Sequence, residues 1–149
     1  MVISDILTKE TIDLHLNADS KTAAVEQMAS LLSEQGYVSD AGQFINDVLK
    51  REESSSTGIG FGVAIPHGKS AGVVKPALSF AKFAQPIEWQ SLDEQPVTMA
   101  FLIGVPLEQA GQEHLKILTT LARKLIHESF RNQLLQATTP EEIVQALQF

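Results

Sequence analysis

The chain has 149 residues, no cysteine and a net charge of −7, from 18 acidic and 11 basic side chains. That length suits one domain with a substantial core, and 44% hydrophobic with 19% charged residues is an ordinary globular composition, not a disordered or collagen-like one. The basic residues are scattered, paired only at Lys50-Arg51 and Arg123-Lys124. This argues against a nucleic-acid partner, which needs a basic face, while the missing cysteine excludes disulfides, thiol catalysis and Cys-ligated zinc.

Met1-Val2-Ile3-Ser4-Asp5 lacks the basic-then-apolar pattern of a signal peptide. No apolar run approaches the ~20 residues that span a bilayer. The expectation is a cytoplasmic protein without direct membrane insertion. Ile12, Leu14 and Leu16 alternate with Asp13 and His15, as in a half-exposed strand with His15 on its polar side. Ser20 can cap a helix running to Gly36, with Ala24, Met28, Leu31 and Leu32 on one face. A second helix is expected from about Asp40 to Glu53, with Phe44, Ile45, Val48 and Leu49 inward.

Three apolar runs follow, Val63 to Ile65, Ala77 to Ala84 and Val97 to Val105, the last two of strand length and bounded by prolines 76, 86, 96 and 106. A third helix is expected from about Gln112 to His127, striped by His114, Leu118, Leu121 and Leu125, with His127 as a favourable charge at its C-terminus. Thr139 can cap a last helix opening at Pro140-Glu141-Glu142. With no repeat and no long linker, this order predicts a single α/β domain over residues 1–149. It is an α+β sandwich with a mixed central sheet flanked by helices on both sides.

The chemistry concentrates in residues 57–70, TGIGFGVAIPHGKS. A Walker loop would need its first glycine at position 63, which is Val63, and a dinucleotide fingerprint would need G-x-G-x-x-G where the chain has Gly58, Gly60 and Gly62 ahead of the strand. What remains is a glycine-flexed approach, a short strand and Pro66-His67-Gly68. Pro66 fixes φ, and Gly68 allows a sharp turn or a close approach of a ligand. Backbone amides at such a turn can form an anion nest, to which Lys69 and Ser70 could add donors. An imidazole with an ordinary pKa near ~6.5 is largely neutral, hence nucleophilic, at cytoplasmic pH. His67 thereby suits a phosphoryl acceptor, while Pro-His-Gly alone equally suits a histidine that merely satisfies a turn.

Arg51-Glu52 followed by Thr57-Gly58-x-Gly60-x-Gly62-Val63-Ala64-Ile65-Pro66-His67-Gly68-Lys69, with Glu113-His114-Leu115 opening a Leu-rich helix, resembles the enzyme IIA domains of the fructose and mannitol class of the bacterial phosphotransferase system. The resemblance covers essentially the whole chain. It implies a phosphotransferase in which His67 takes a phosphoryl group from the phosphocarrier HPr and gives it to a cysteine of a IIB domain of the permease. It also implies supporting roles for His114 and Arg51. A neutral His114 at a helix N-terminus could donate to a phosphoryl oxygen, and the Arg51 fork could bind phosphate oxygens bidentately. Thr57, Gly68 and Lys69 are further phosphate-binding candidates, and no metal or cofactor is expected.

Ser56 to Gly60 and Gly68-Lys69-Ser70 favour the fructose class, although the sugar never touches such a domain. Phe61 departs from the polar residue many relatives carry there, and the expectation is that it alters the rim of the cleft. The competing readings are a regulatory nitrogen-type IIA paralogue, signalling through phosphohistidine-dependent binding, and a non-catalytic binding module.

Overall fold

Capping and periodicity set the first two helices. Ser20 accepts from the Ala23 amide at 3.1 Å to start α1, Lys21–Glu34, and Asp40 accepts from the Gln43 amide at 3.0 Å to start α2, Ala41–Ser54. The computed structural model describes residue 3 and residues 6–109 and 112–148, with the backbone alone at 109 and 112–115. A 3-10 turn at Lys9–Thr11 leads into strand β1, Ile12–Leu16, in which His15 is exposed as its alternation requires. After α2 come β2 (Gly58–Gly60), β3 (Val63–Ala64), β4 (His67–Ser70), β5 (Ala77–Ile87) and β6 (Val97–Pro106). The chain then forms α3 (Gln112–Leu125), α4 (Glu128–Gln136) and α5 (Pro140–Ala146).

The six strands form one mixed sheet in the order β1-β5-β6-β3-β2, with β4 also on β6. β5 and β6 are antiparallel, whereas β1 on β5, and β3 and β4 on β6, are parallel. On one face α1 and α2 bury Ala24, Met28, Leu32, Phe44 and Val48 against Ala77, Ala81, Ala100 and Leu102. On the other, Ile117, Leu121 and Leu125 of α3, Leu134 of α4 and Ile143 of α5 close over Phe80, Phe101 and Ile103. The expected sandwich is thus observed: helices on both faces of a mixed sheet. The sheet is central because β6 and the first half of β5, Ala77 to Ala81, are buried on both sides and largely apolar.

Several expectations need correction. The third helix stops at Leu125, and its buried stripe runs through Ile117, with Leu118 only half-buried. His127 is not a C-terminal charge of that helix. It is the N-cap residue of α4, a separate helix that the sequence reading did not separate from α3. Arg131 of α4 makes the corner, donating to the carbonyls of Leu125 at 2.7 Å and Ile126 at 2.8 Å, which the end of α3 leaves without intrahelical partners. Lys82 of β5 serves the other end of α4 through the carbonyls of Leu135 and Ala137.

β5 runs past Pro86 to Ile87, because its pairing with β6 shifts register between Lys82 and Ile87 and the proline falls in that irregularity. The glycine-flexed approach is itself a hairpin. β2 and β3 are antiparallel, joined by Phe61 at φ 61° and Gly62 at φ 76°. Positive φ at both central residues is the geometry of a tight two-residue turn.

Candidate active site

β3 and β4 are two halves of one interrupted strand. Ala64 pairs with Ala100 and His67 with Ile103, so the register along β6 is unbroken across Ile65-Pro66. Pro66 has no amide to offer a ladder; its carbonyl accepts from the Ile103 amide at 3.0 Å. Alternation of side chains then puts His67 on the same face as Ile65 and Lys69, the face covered by α3, α4 and α5. Gly68 looks the other way, toward α2.

His67 therefore opens a strand and does not sit on a turn. Gly68 is required by packing: a Cβ there would stand 3.0 Å from Val48 Cγ2 and 3.2 Å from the Val48 amide nitrogen. Gly68 lets α2 lie against β4, and its φ is not in the left-handed region that would mark a turn.

The His67 ring is buried, 7% exposed, with Nδ1 2.8 Å from the Ile65 carbonyl oxygen. A carbonyl only accepts, so in the neutral ring the proton resides on Nδ1 and the lone pair on Nε2. Burial is the largest influence on its pKa and lowers it; the hydrogen bond to Ile65 opposes this, Arg51 lowers it further and Glu52 raises it. The net direction is downward, which keeps the ring neutral at neutral pH.

Arg51 lies in the last turn of α2 and donates from Nη1 to the Ser55 carbonyl at 2.9 Å, closing the helix. Its charge reaches His67. Lys69 is exposed on the His67 side of β4. His114 is the third residue of α3, in the first turn as expected; its side chain lies outside the described residues.

Thr57 is placed differently from the expectation of a phosphate donor. It is buried, its hydroxyl donates to Glu52 Oε1, and it accepts from Trp89 Nε1 at 3.3 Å. Its one proton is spent inside the protein. Glu52, read from sequence only as part of a motif, is buried and holds both Thr57 and Lys21. Nothing in the sequence pattern joins Lys21, Glu52 and Trp89; the sole tryptophan comes nearest to a signal. Phe61 lies at the tip of the β2–β3 hairpin. It is 56% exposed, and the Arg131 guanidinium sits 4.1 Å from its ring centroid.

A neutral imidazole with Nδ1 held and Nε2 nucleophilic, within the field of a guanidinium, is equipped to carry an electrophilic, anionic group such as phosphoryl. Residues 5–149 match the family model described as "Phosphoenolpyruvate-dependent sugar phosphotransferase system, EIIA 2", and the chain belongs to that family. It is 41% identical to a fructose-like EIIA component of Escherichia coli, over 91% of this chain and 90% of the relative. It is 38% identical to a fructose-specific EIIABC component of Bacillus subtilis, over 97% of this chain but only 22% of that longer protein. The crystal structure of nitrogen regulatory protein IIA-Ntr from Neisseria meningitidis superposes with a TM-score of 0.89 at 34% identity, covering 97% of this chain and 98% of that one. Among the described residues, no helix is long and apolar enough to cross a membrane.

Proposed function

We propose that the chain, as one IIA domain, acts in the cytoplasm as the phosphoryl carrier of a fructose-class sugar phosphotransferase system, with His67 Nε2 as acceptor. The single observation that carries this assignment is the Nδ1–H bond to the Ile65 carbonyl, which leaves Nε2 with the lone pair. In the first transfer the P–N bond to the histidine of phospho-HPr breaks as a P–N bond to His67 Nε2 forms. In the second, the group passes to the thiolate of a IIB cysteine and Nε2 regains its lone pair.

The ring returns each time to the same neutral tautomer, so no proton need leave Nδ1. Arg51 stabilises phosphoryl charge from the end of α2, and His114, in the first turn of α3, assists from the covering layer. Lys69, on the His67 side of β4, adds a cation at the entrance, while Gly68 lets α2 approach. HPr and IIB are the partners; neither a metal nor a cofactor enters these steps.

The fructose class rests on the two sequence relatives named above. The regulatory nitrogen-type reading has one observation in its favour, the 0.89 superposition on IIA-Ntr at 34% identity. Incubation with phosphoenolpyruvate, enzyme I and HPr, then with a fructose-class IIB domain, tests both. The chain is expected to gain one phosphoryl group and lose it to IIB. His67→Ala is expected to gain none. A chain that loads from HPr and never discharges to any IIB would favour the regulatory reading, and undiminished labelling of His67→Ala would refute the assignment.

A further inference from the structure

Glu52 is a buried carboxylate, its side chain 4% exposed. Burying such a charge is costly unless it is paired and its acceptor positions are filled. Lys21 of α1 pairs with Oε2 at 3.2 Å, and the same oxygen accepts from the Thr57 amide at 3.3 Å. Oε1 accepts the Thr57 hydroxyl. Trp89 Nε1 donates to that hydroxyl oxygen from a fully buried indole, which leaves the hydroxyl proton directed at the carboxylate. Two donors of one residue are thus clamped by one carboxylate.

The clamp continues to the acceptor ring. The Thr57 carbonyl accepts from the Ile65 amide at 3.0 Å, and the Ile65 carbonyl accepts from His67 Nδ1 at 2.8 Å. The peptide units on either side of Ile65 are therefore held at Thr57 on one side and at His67 on the other. Pro66, which follows, has no amide of its own to tie down. Orientation can pass from Glu52 to the imidazole through four hydrogen-bonded groups in series.

We propose that Glu52 is a positioning residue of the site: acting through Thr57 and Ile65, it fixes the tautomer and the aim of the His67 ring. The proposal rests on His67 as acceptor, and it identifies the Glu of the Arg-Glu pair as the residue that sets the nucleophile while its neighbour Arg51 faces the transferred charge. The merely structural alternative is that Lys21–Glu52–Thr57–Trp89 only ties α1 and α2 to the sheet.

The test uses Glu52→Gln, Thr57→Val and Thr57→Ser in the full chain. It reads the nitrogen-15 shifts of the two His67 ring nitrogens in the unphosphorylated protein, the rate of loading from phospho-HPr, and the melting temperature. Positioning predicts that Glu52→Gln and Thr57→Val draw the two shifts toward each other as the tautomers mix. Loading should slow on the order of tenfold, within the range that small misplacements of reacting groups produce. Thr57→Ser, which keeps the hydroxyl, should restore the separated wild-type shifts.

Wild-type shifts in both disruptive variants would overturn the proposal, whether the melting temperature or the loading rate falls or not. If Glu52→Gln fails to fold, Thr57→Val, which removes a hydroxyl alone, decides. The shifts are measured without any phosphoryl group. Movement of the shifts in a protein whose His67→Ala variant still labels would therefore sustain the positioning role and reject the carrier assignment.

Discussion

Phe61 and His67 belong to one stretch of chain, yet their surroundings are opposite. At the hairpin tip Phe61 is 56% exposed, in a left-handed conformation at φ 61°, held from outside by Arg131. At the other end His67 is 7% exposed in ordinary strand geometry, paired with Ile103 and bonded through Nδ1 to its own neighbour's carbonyl. Left-handed backbone sits at the turn, whereas the proposed acceptor opens a strand paired with β6 just past the interruption at Ile65-Pro66. Strain and function are often associated at active sites; the proposed acceptor here lies apart from the left-handed turn.

Perturbing the His67 end should therefore change phosphoryl transfer, and perturbing the tip should change little but stability. Short of removing His67 itself, the largest effect is expected from Arg51→Lys. A point charge lacks the bidentate fork, and losing one charge-assisted hydrogen bond of about 1.5–3 kcal/mol slows a step by one to two powers of ten if the bond matters in the transition state. A rapid-quench assay of loading from phospho-HPr measures this. The melting curve should move only slightly, because the contact to Ser55 is exposed; a rate equal to wild type would leave Arg51 with the helix end as its only role.

Gly68→Ala comes next. Its methyl would press on Val48 at 3.0 Å, and overpacking of this kind costs about 1–3 kcal/mol. Chemical denaturation should show that loss together with slower loading, since α2 and β4 move apart beside His67. An unchanged midpoint would mean that the helix yields without cost.

The titration of His67 sharpens the contrast further. Burial lowers its pKa, so the unfolded chain binds this proton more readily than the folded one. Stability contributed by the neutral ring is present above the ordinary imidazole value near ~6.5 and is lost as pH falls through the depressed folded value. NMR titration should give a midpoint below the ordinary value, and loading should be flat above it and decline on the acid side. A midpoint above the ordinary value would contradict the burial argument.

The smallest effect is expected at the tip. Phe61→Asn relieves a left-handed bulky residue but gives up a cation–π contact of about 0.5–1 kcal/mol. Net stability should shift by less than about 1 kcal/mol, and loading should match wild type. A changed loading rate would join the two ends that the structure separates.

Much of this was legible in the sequence. Ser20 and Thr139 announce their helices because a cap is a local device, and Ile12, Leu14 and Leu16 announce β1 because alternation is local too. His67 and Arg51 were legible as candidates through the motif that joins them. The corner at Ile126-His127 was not, because Arg131 makes it from within the following helix by bonding backwards to carbonyls, which leaves no break in the apolar pattern. Nor was the role of Gly68, since the reason for a missing Cβ is Val48 on another element. The Glu52 clamp gathers Lys21, Thr57 and Trp89 from across the chain, and only the fold brings them together.

The central claim is that His67 carries the phosphoryl group on Nε2. Nitrogen-15-labelled protein, loaded with phosphoenolpyruvate, enzyme I and HPr, should show phosphorus–nitrogen coupling at Nε2 of His67, with Nδ1 still protonated toward Ile65. A phosphoryl group on Nδ1, or on any residue other than His67, would contradict the account.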